Sequence, residues 1–225
     1  MGDPSETREI TIDRVVAFEE WSTATLSDAM DELGVRSVLP GIHAQRIGQA
    51  RVAGYALPVH FIRKHHDKDA YRFGGGVGRP LEMVLKTMSR GQIVVMDLDG
   101  ALDASAWGGL ASRLALLKGV RGTILNGTCR DVEEIRALGY PVWATGTCPR
   151  RSRNEFSFGS IGEPIEVSGT VVGQGDIVVA DGTGVVCIPQ SRANEVYELA
   201  KKIAASEQRM LGEIAVGTGV DWENV

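Results

Sequence analysis

The segment between residues 93 and 144 restricts this chain to a small set of folds. Ile93-Val94-Val95-Met96-Asp97 is a short apolar run of the kind that forms a strand buried on both faces. Residues 110–118 place Leu110, Leu114 and Leu117 at helical spacing, and Gly119 follows as a stop. Residues 122–125 read as a strand, residues 132–138 as a helix ended by Gly139, and residues 141–144 as a further strand. Strand, helix, strand, helix, strand within roughly 50 residues predicts parallel βαβ units, and hence an α/β protein.

The flanks are less regular. Two helices are expected at residues 12–20 and 25–33, the second with Leu26, Ala29, Met30 and Leu33 on one face and Gly34 as its stop. Residues 47–56 and 56–62 read as two twisted or edge strands, because Gly54 and Pro58 limit their regularity. A charged loop, Lys64-His65-His66-Asp67-Lys68-Asp69, leads to the glycine-rich run at residues 74–80. A helix over residues 81–89 follows, carrying Leu81, Val84, Leu85 and Met88 on one stripe. Beyond Pro149-Arg150-Arg151-Ser152-Arg153 the pattern turns β-rich, with strand candidates at residues 165–172, 176–180 and 184–188. Pro189 opens a long helix, about residues 190–215, whose stripe of Val196, Leu199, Ile203, Met210, Leu211 and Ile214 suits either its own domain or a neighbouring subunit. With no repeat and no linker, residues 1–225 are read as one domain.

Charge narrows the partners. Against 24 basic residues stand 29 acidic ones, a formal net charge of -5. That balance gives no electrostatic case for binding nucleic acid or an anionic membrane, so the expected partner is a small molecule or another protein. Cys129, Cys148 and Cys187 are odd in number and irregular in spacing, which reads as three reduced thiols rather than a disulfide framework or zinc site. The N-terminus lacks an apolar signal core, and no apolar run approaches the ~20 residues of a membrane span. A cytoplasmic location is the expectation.

The chemistry centres on Arg130 and Asp131, where a strand gives way to a helix. Ligands of parallel α/β units collect at the carboxyl ends of strands. Asn126-Gly127-Thr128 is expected to make a turn that brings backbone close to a ligand. Arg130 offers a fork of donors to a carboxylate or a developing enolate. Asp131 is a candidate ligand for a hard divalent cation such as magnesium, directly or through water. Glu134, three residues on, also makes a capping-box pattern with Asp131, and a cap plus a surface arginine would explain the pair without catalysis. Trp107-Gly108-Gly109-Leu110 opens the preceding helix, and the N–H groups of Gly108, Gly109 and Leu110 suit a carboxylate. A helix N-terminus, an arginine and an acid together are what a 2-oxo acid site needs. Other features carry less. His65, His66, Asp67 and Asp69 read as a solvated loop; the basic run Arg150 to Arg153 could bind an anionic group, but a solvated loop is the better reading. The glycine-rich loop lacks the Gly-Lys-Ser/Thr ending of a P-loop, and no His-Asn pattern accompanies Cys129 or Cys148.

Several pieces, in this order and spacing, carry a family resemblance: Leu26-Ser27-Asp28-Ala29, Gly91-Gln92-Ile93-Val94-Val95-Met96-Asp97, Gly127-Thr128-Cys129-Arg130-Asp131, Gly146-Thr147-Cys148-Pro149-Arg150-Arg151, and Gly175-Asp176 through Ala180-Asp181-Gly182-Thr183-Gly184-Val185. The chain resembles the RraA-like family, which includes the 4-hydroxy-4-methyl-2-oxoglutarate/4-carboxy-4-hydroxy-2-oxoadipate aldolases and the regulator of ribonuclease E activity A. The resemblance implies a compact α/β/β sandwich, assembled as a homotrimer or a homohexamer of two trimers, with active sites between subunits. It implies that Arg130 engages a pyruvoyl group, that Asp131 supports a divalent metal (magnesium, with manganese as the alternative), and that the amides of Gly108, Gly109 and Leu110 hold the substrate carboxylate. The implied reaction is a carbon–carbon cleavage that releases pyruvate, with oxaloacetate decarboxylation beside it.

One departure stands out. The aldolase pattern places an acid twenty-one residues before the arginine, and here that position is Gly109. Asp99 and Asp103 are the upstream candidates to compensate. The expectation is therefore a divalent-metal-dependent lyase acting on a 2-oxo acid. The alternatives are a non-catalytic binding protein that regulates a ribonuclease and a lyase with a divergent substrate.

Overall fold

The computed structural model describes residues 11–64, 80–152 and 155–217. The chain begins with α1 (Ile12–Val16), prolonged by a 3-10 turn at Ala17–Glu20, then α2 (Thr23–Glu32), β1 (His43–Ala44) and β2 (Val52–Arg63). Next come α3 (Pro80–Thr87), β3 (Gln92–Asp97), β4 (Ser105–Trp107), α4 (Gly109–Leu117), β5 (Gly122–Cys129), α5 (Val132–Leu138) and β6 (Val142–Thr147). The C-terminal half is β-rich: β7 (Phe156–Ile161), β8 (Ile165–Val167), β9 (Thr170–Val172), β10 (Ile177–Ala180) and β11 (Val185–Ile188), closed by α6 (Ala193–Val216).

Nine strands form one mixed sheet in the order β1-β6-β5-β3-β2-β10-β11, with β4 added to β5 and β7 to β2. The central strands β2, β3, β5 and β6 run parallel, as the alternation of strand and helix predicts. Side chains alternate between faces along each strand, and the two faces meet different layers. Leu57, Val59, Val94, Met96 and Leu125 pack under α3, α4 and α5, against Val84, Met88, Ala111, Ala115 and Ile135. The opposite face, with Ala56, Ile93, Val95, Ile124 and Trp143, meets Ile165, Val167 and Val172 of the separate β8–β9 hairpin. Helices, large sheet and small sheet make the three layers of an α/β/β sandwich. A third cluster joins α1, α2 and the start of α6 to Ala53, Ile177, Val179 and Ile188. Each fully buried Val, Leu or Ile contributes roughly 1.5–3 kcal/mol relative to leaving it exposed.

Several elements depart from their sequence reading. The two edge strands expected around residue 56 are one central strand, β2, flanked by β3 on one side and by β10 and then β7 on the other. Pro58 fits because it lies where the neighbour changes from β10 to β7. Ala56, two residues earlier and pointing the same way, donates to the Asp176 carbonyl, whereas Pro58 has only to accept from the Gly162 N–H. Gly54 is required by proximity, since a Cβ there would lie 2.8 Å from the Gly91 carbonyl oxygen. The expected turn at Asn126-Gly127-Thr128 is instead the continuation of β5, with a pairing irregularity between Leu125 and Thr128. Gly127 holds φ 153° there, with the Leu98 side chain against it. The single strand expected at residues 165–172 is a hairpin, because Ser168 and Gly169 both adopt positive φ, which a two-residue hairpin turn demands. Strands β4 and β7 were not legible in the sequence. The loop residues His65, His66, Asp67 and Asp69, the glycine-rich run before Pro80, and Arg153 lie outside the described residues.

No helix among the described residues is long and apolar enough to cross a membrane. Only the first turns of α6 bury their stripe, through Ala193, Val196 and Ala200, while Leu211, Ile214 and Val216 stand exposed.

Candidate active site

The short strand β4 positions the site. Ser105 pairs with Thr128 and Trp107 with Cys129, so β4 lies along the far end of β5. The Ser105 N–H donates to the Arg150 carbonyl, and the Ser152 N–H donates back to the Ser105 carbonyl, which brings the segment after β6 to the same place. Trp107 is fully buried, donates from Nε1 to Ser112 Oγ at 2.9 Å and stacks on Tyr140. Since Ser112 belongs to α4, this bond fixes the direction in which α4 leaves β4. The Arg130 N–H donates to the Trp107 carbonyl at 3.0 Å, tying the end of β5 to the start of α4.

A cavity of about 370 Å³ opens at this junction. Phe61, Leu81, Trp107 and Phe156 supply apolar wall, and Arg130, Asp131, Arg151 and Ser152 supply polar groups. Gly108 and Leu110 line it as well. Its size suits a small ligand, and its lining has the usual composition of such sites: mostly apolar, with a few convergent polar groups. Arg130, Asp131, Gly108 and Leu110, all singled out in the sequence, thus share one cavity at the carboxyl end of a parallel strand. Phe156 was missed, and Arg151 and Ser152 belong to the basic run that was read as a solvated loop. Arg151 lies within one of the family-like motifs, but nothing local distinguishes it from its neighbours in a basic run.

Asp131 is the unusual residue. It precedes α5 with φ 56° and ψ 42°, in the left-handed region that few non-glycine residues adopt. Its side chain makes no cap bond to α5, so the capping box suggested by Glu134 is not formed. Instead Asp131 Oδ2 accepts from the Gly109 N–H at 3.1 Å and lies 3.4 Å from Arg130 Nε. It caps the neighbouring helix, α4, rather than its own. The Gly109 N–H that the sequence reading gave to a substrate carboxylate is therefore already engaged by a protein carboxylate.

The two glycines at the start of α4 make room for this arrangement. A Cβ on Gly108 would lie 2.5 Å from Asp131 Oδ2, and a Cβ on Gly109 would collide with Glu134 Oε2. Both carboxylates are thus drawn over the N-terminus of α4, whose unpaired N–H groups and dipole favour negative charge.

The upstream acids do not reach the cavity. Asp103 forms a two-pronged pair with Arg63, at 2.5 and 2.6 Å, and that pairing holds its carboxyl down to about 2. Asp99 belongs to a separate group with His60 and Asp97, whose ligand atoms lie within 4.8 Å of one another. Burial raises the Asp97 carboxyl above the usual range and Asp99 adds to the rise, against the lowering effect of Asn126 Nδ2 donating to it at 2.7 Å. Two of the thiols are poor nucleophiles: burial pushes Cys129 up to about 11 and Cys187 higher still.

Comparison with known proteins agrees with this architecture. The family model described as "RraA-like: Aldolase/RraA" matches residues 23–187. The 4-hydroxy-4-methyl-2-oxoglutarate aldolase of Thermus thermophilus is 30% identical over 171 residues, covering 76% of this chain and 94% of that protein. Protein DlpA of Legionella pneumophila is 28% identical over 200 residues, covering 89% of this chain, but the chain spans only 31% of DlpA's length. Among solved structures, RraAS2 of Streptomyces coelicolor, described as an unusual member of the RNase ES inhibitor RraA protein family, superposes with a TM-score of 0.77 at 28% identity, over 90% of this chain and 98% of that one. A match over most of the length, on a sheet whose strand ends bring Arg130 and Asp131 into one cavity, makes this chain a member of the RraA-like family.

Proposed function

We propose that this chain is a divalent-metal-dependent carbon–carbon lyase that cleaves a 2-oxo acid and releases pyruvate, as an aldolase, an oxaloacetate decarboxylase or both. The observation that carries the reading is the convergence of Arg130 and Asp131 in one cavity against the N-terminus of α4. A bland surface arginine and an ordinary helix cap would not share a cavity, and Asp131 would not hold a left-handed backbone in order to turn away from its own helix.

The donor set suits the metal. Asp131 offers a hard, partly exposed carboxylate with lone pairs left over after its bond to Gly109, as magnesium or manganese requires. When bound, the cation would act as a Lewis acid, stabilising negative charge on the oxygen of the developing enolate. The protein does the rest. Arg130 presents its guanidinium to the 2-oxo acid, and Asp131 holds that guanidinium in place through Nε. Arg151, at the same cavity, neutralises a second carboxylate of a diacid substrate. Phe61, Trp107 and Phe156 exclude water and so strengthen each of these contacts. The reading includes a ring of three copies, or two such rings, which the exposed apolar end of α6 supports.

Pyruvate release from 4-hydroxy-4-methyl-2-oxoglutarate and from oxaloacetate, with and without magnesium, tests the proposal. Turnover that needs the metal and falls roughly a hundred- to thousand-fold in Arg130→Ala is expected. No turnover of either substrate, or turnover indifferent to Arg130, overturns it. The likeness to RraAS2 favours a second reading, a non-catalytic protein that binds a ribonuclease. Retention of ribonuclease E on the immobilised chain, together with absent turnover, would select it.

A further inference from the structure

On the face of the large sheet that packs against the β8–β9 hairpin, three apolar rows end together in polar residues. Ala56, Val95 and Ile124 belong to that layer. Because side chains on one face recur every second residue, the rows continue to His60, Asp97 and Asn126. These three stand abreast at the carboxyl ends of β2, β3 and β5, with His60 paired to Asp97 and Asp97 to Asn126. Parallel sheets present ligands at this edge. Phe61, next to His60, lines the cavity on the other face, and none of His60, Asp97 and Asp99 does. Asp97 is buried, with only 6% of its surface exposed. Its Oδ1 accepts from Asn126 Nδ2 at 2.7 Å and from the Asp99 N–H at 3.2 Å. Its Oδ2 accepts no hydrogen bond from a described residue and faces His60 Nε2 at 3.8 Å, while Asp99 Oδ1 lies 3.7 Å from the same nitrogen. Strand β7 makes room for the imidazole: it pairs Ser160 with His60 and Phe158 with Phe61, which leaves Gly159 as a bulge. A Cβ on Gly159 would lie 3.2 Å from His60 Nδ1.

We propose that His60, Asp97 and Asp99 bind a transition-metal dication, with zinc the best fit, at a site separate from Arg130 and Asp131. One imidazole nitrogen and two carboxylate oxygens form a donor set for zinc, whereas magnesium takes oxygen ligands alone. Bonds of about 2.0–2.2 Å to a shared tetrahedral ion would set its ligands roughly 3.3–3.6 Å apart. The separations of 3.7 and 3.8 Å need only a slight closure to meet that. A protonated imidazole held by these acids alone would close on one of them at hydrogen-bond distance, and at these separations neither bond is made. Asn126 completes the design from outside: by occupying Oδ1 it turns Oδ2 of Asp97 toward His60, as an outer-shell partner of a metal ligand does. The fourth position is left to water. The bound cation ties the end of β2 to the chain leaving β3, which runs on to β4, and so braces the approach to the candidate active site from behind. This metal site does not rest on the lyase reading.

The test is calorimetric titration of Zn2+ into the full chain carrying Asp131→Asn, which takes the other candidate ligand out of play. The same protein is compared with three further variants on that background: His60→Gln, Asp99→Asn, and His65→Ala/His66→Ala. The last removes the neighbouring histidines of the sequence and controls for adventitious binding. Asp99 is half exposed, so its variant decides the matter should His60→Gln fail to fold. One equivalent of Zn2+ should bind. His60→Gln and Asp99→Asn should each weaken it by at least about tenfold, and the double alanine variant by less than about twofold. At a hundredfold excess over its Kd, Zn2+ should raise the thermal midpoint by roughly 5–10 °C, and the two ligand variants should lose most of that rise at the same concentration. No Zn2+ binding, binding indifferent to His60 and Asp99, or binding lost with His65 and His66 overturns the proposal. Pyruvate release plays no part in these measurements, so this proposal and the lyase reading stand or fall separately.

Discussion

Among the described residues, Asp181 and Asp131 each reach across from another element to the first N–H of an α-helix. Asp181 bonds the Thr23 N–H at the start of α2, and Asp131 bonds the Gly109 N–H at the start of α4. Their surroundings differ in every other respect. Asp181 is buried and also accepts from Thr23 Oγ1 at 2.7 Å, the Thr183 N–H at 2.9 Å and Arg51 Nε at 3.3 Å, while its carbonyl receives Trp143 Nε1. Its lone pairs are spent, and it clasps α2 to the β10–β11 end of the sheet. Asp131 is partly exposed, has one N–H and one loosely paired guanidinium, and sits on a left-handed backbone. A carboxylate with no capacity left is structural; one held in a strained conformation with acceptors to spare is available for a ligand.

This contrast fails if the two residues respond alike to mutation. The largest expected effect is on turnover: Asp131→Asn should lower pyruvate release roughly a hundred- to thousand-fold, while its chemical denaturation midpoint stays close to wild type. Asp181→Ala should do the reverse, costing about 3 kcal/mol of unfolding free energy because Arg51 and the Thr23 donors lose a buried partner, with the kcat of the remaining folded protein retained. A pH series sharpens the assignment. Burial pushes the Asp181 carboxyl up, but the Thr23, Thr183 and Gly184 donors outweigh it and leave it below the usual range. The stabilisation from Asp181 is then complete above the ordinary carboxylate value, about 4, and is lost as pH falls through the lowered value of the folded state. Asp181→Asn should flatten the acid limb of the stability curve. A smaller effect concerns backbone strain: Asp131→Gly should be about 1 kcal/mol more stable than Asp131→Ala, because only glycine adopts φ 56° freely. The smallest belongs to the exposed Arg63–Asp103 pair, where Asp103→Asn should cost less than about 1 kcal/mol and less still at high salt.

Much of this was readable in the chain. The apolar run at 93–97 and the glycine-ended helices at 110–118 and 132–138 fixed the parallel core, because burial on both faces and helical spacing leave direct marks on composition. Arg130, Asp131, Gly108, Gly109 and Leu110 could be grouped before any fold was known, since a strand-to-helix junction is where a parallel sheet presents ligands; all but Gly109, whose N–H goes to Asp131, line one cavity. Three matters were settled only by the tertiary structure. Pro58 looked like an edge-strand residue, and becomes central because the neighbour changes from β10 to β7 beside it. Asp131 and Glu134 looked like one helix's capping box, and both turn to the N-terminus of another helix, as local spacing does not record which donors a facing element offers. Gly109 looked like a vacancy, and its missing side chain is the space that Glu134 fills. Sequence determines what each segment can form by itself; which side chain answers a given gap depends on segments that meet only once the chain has folded.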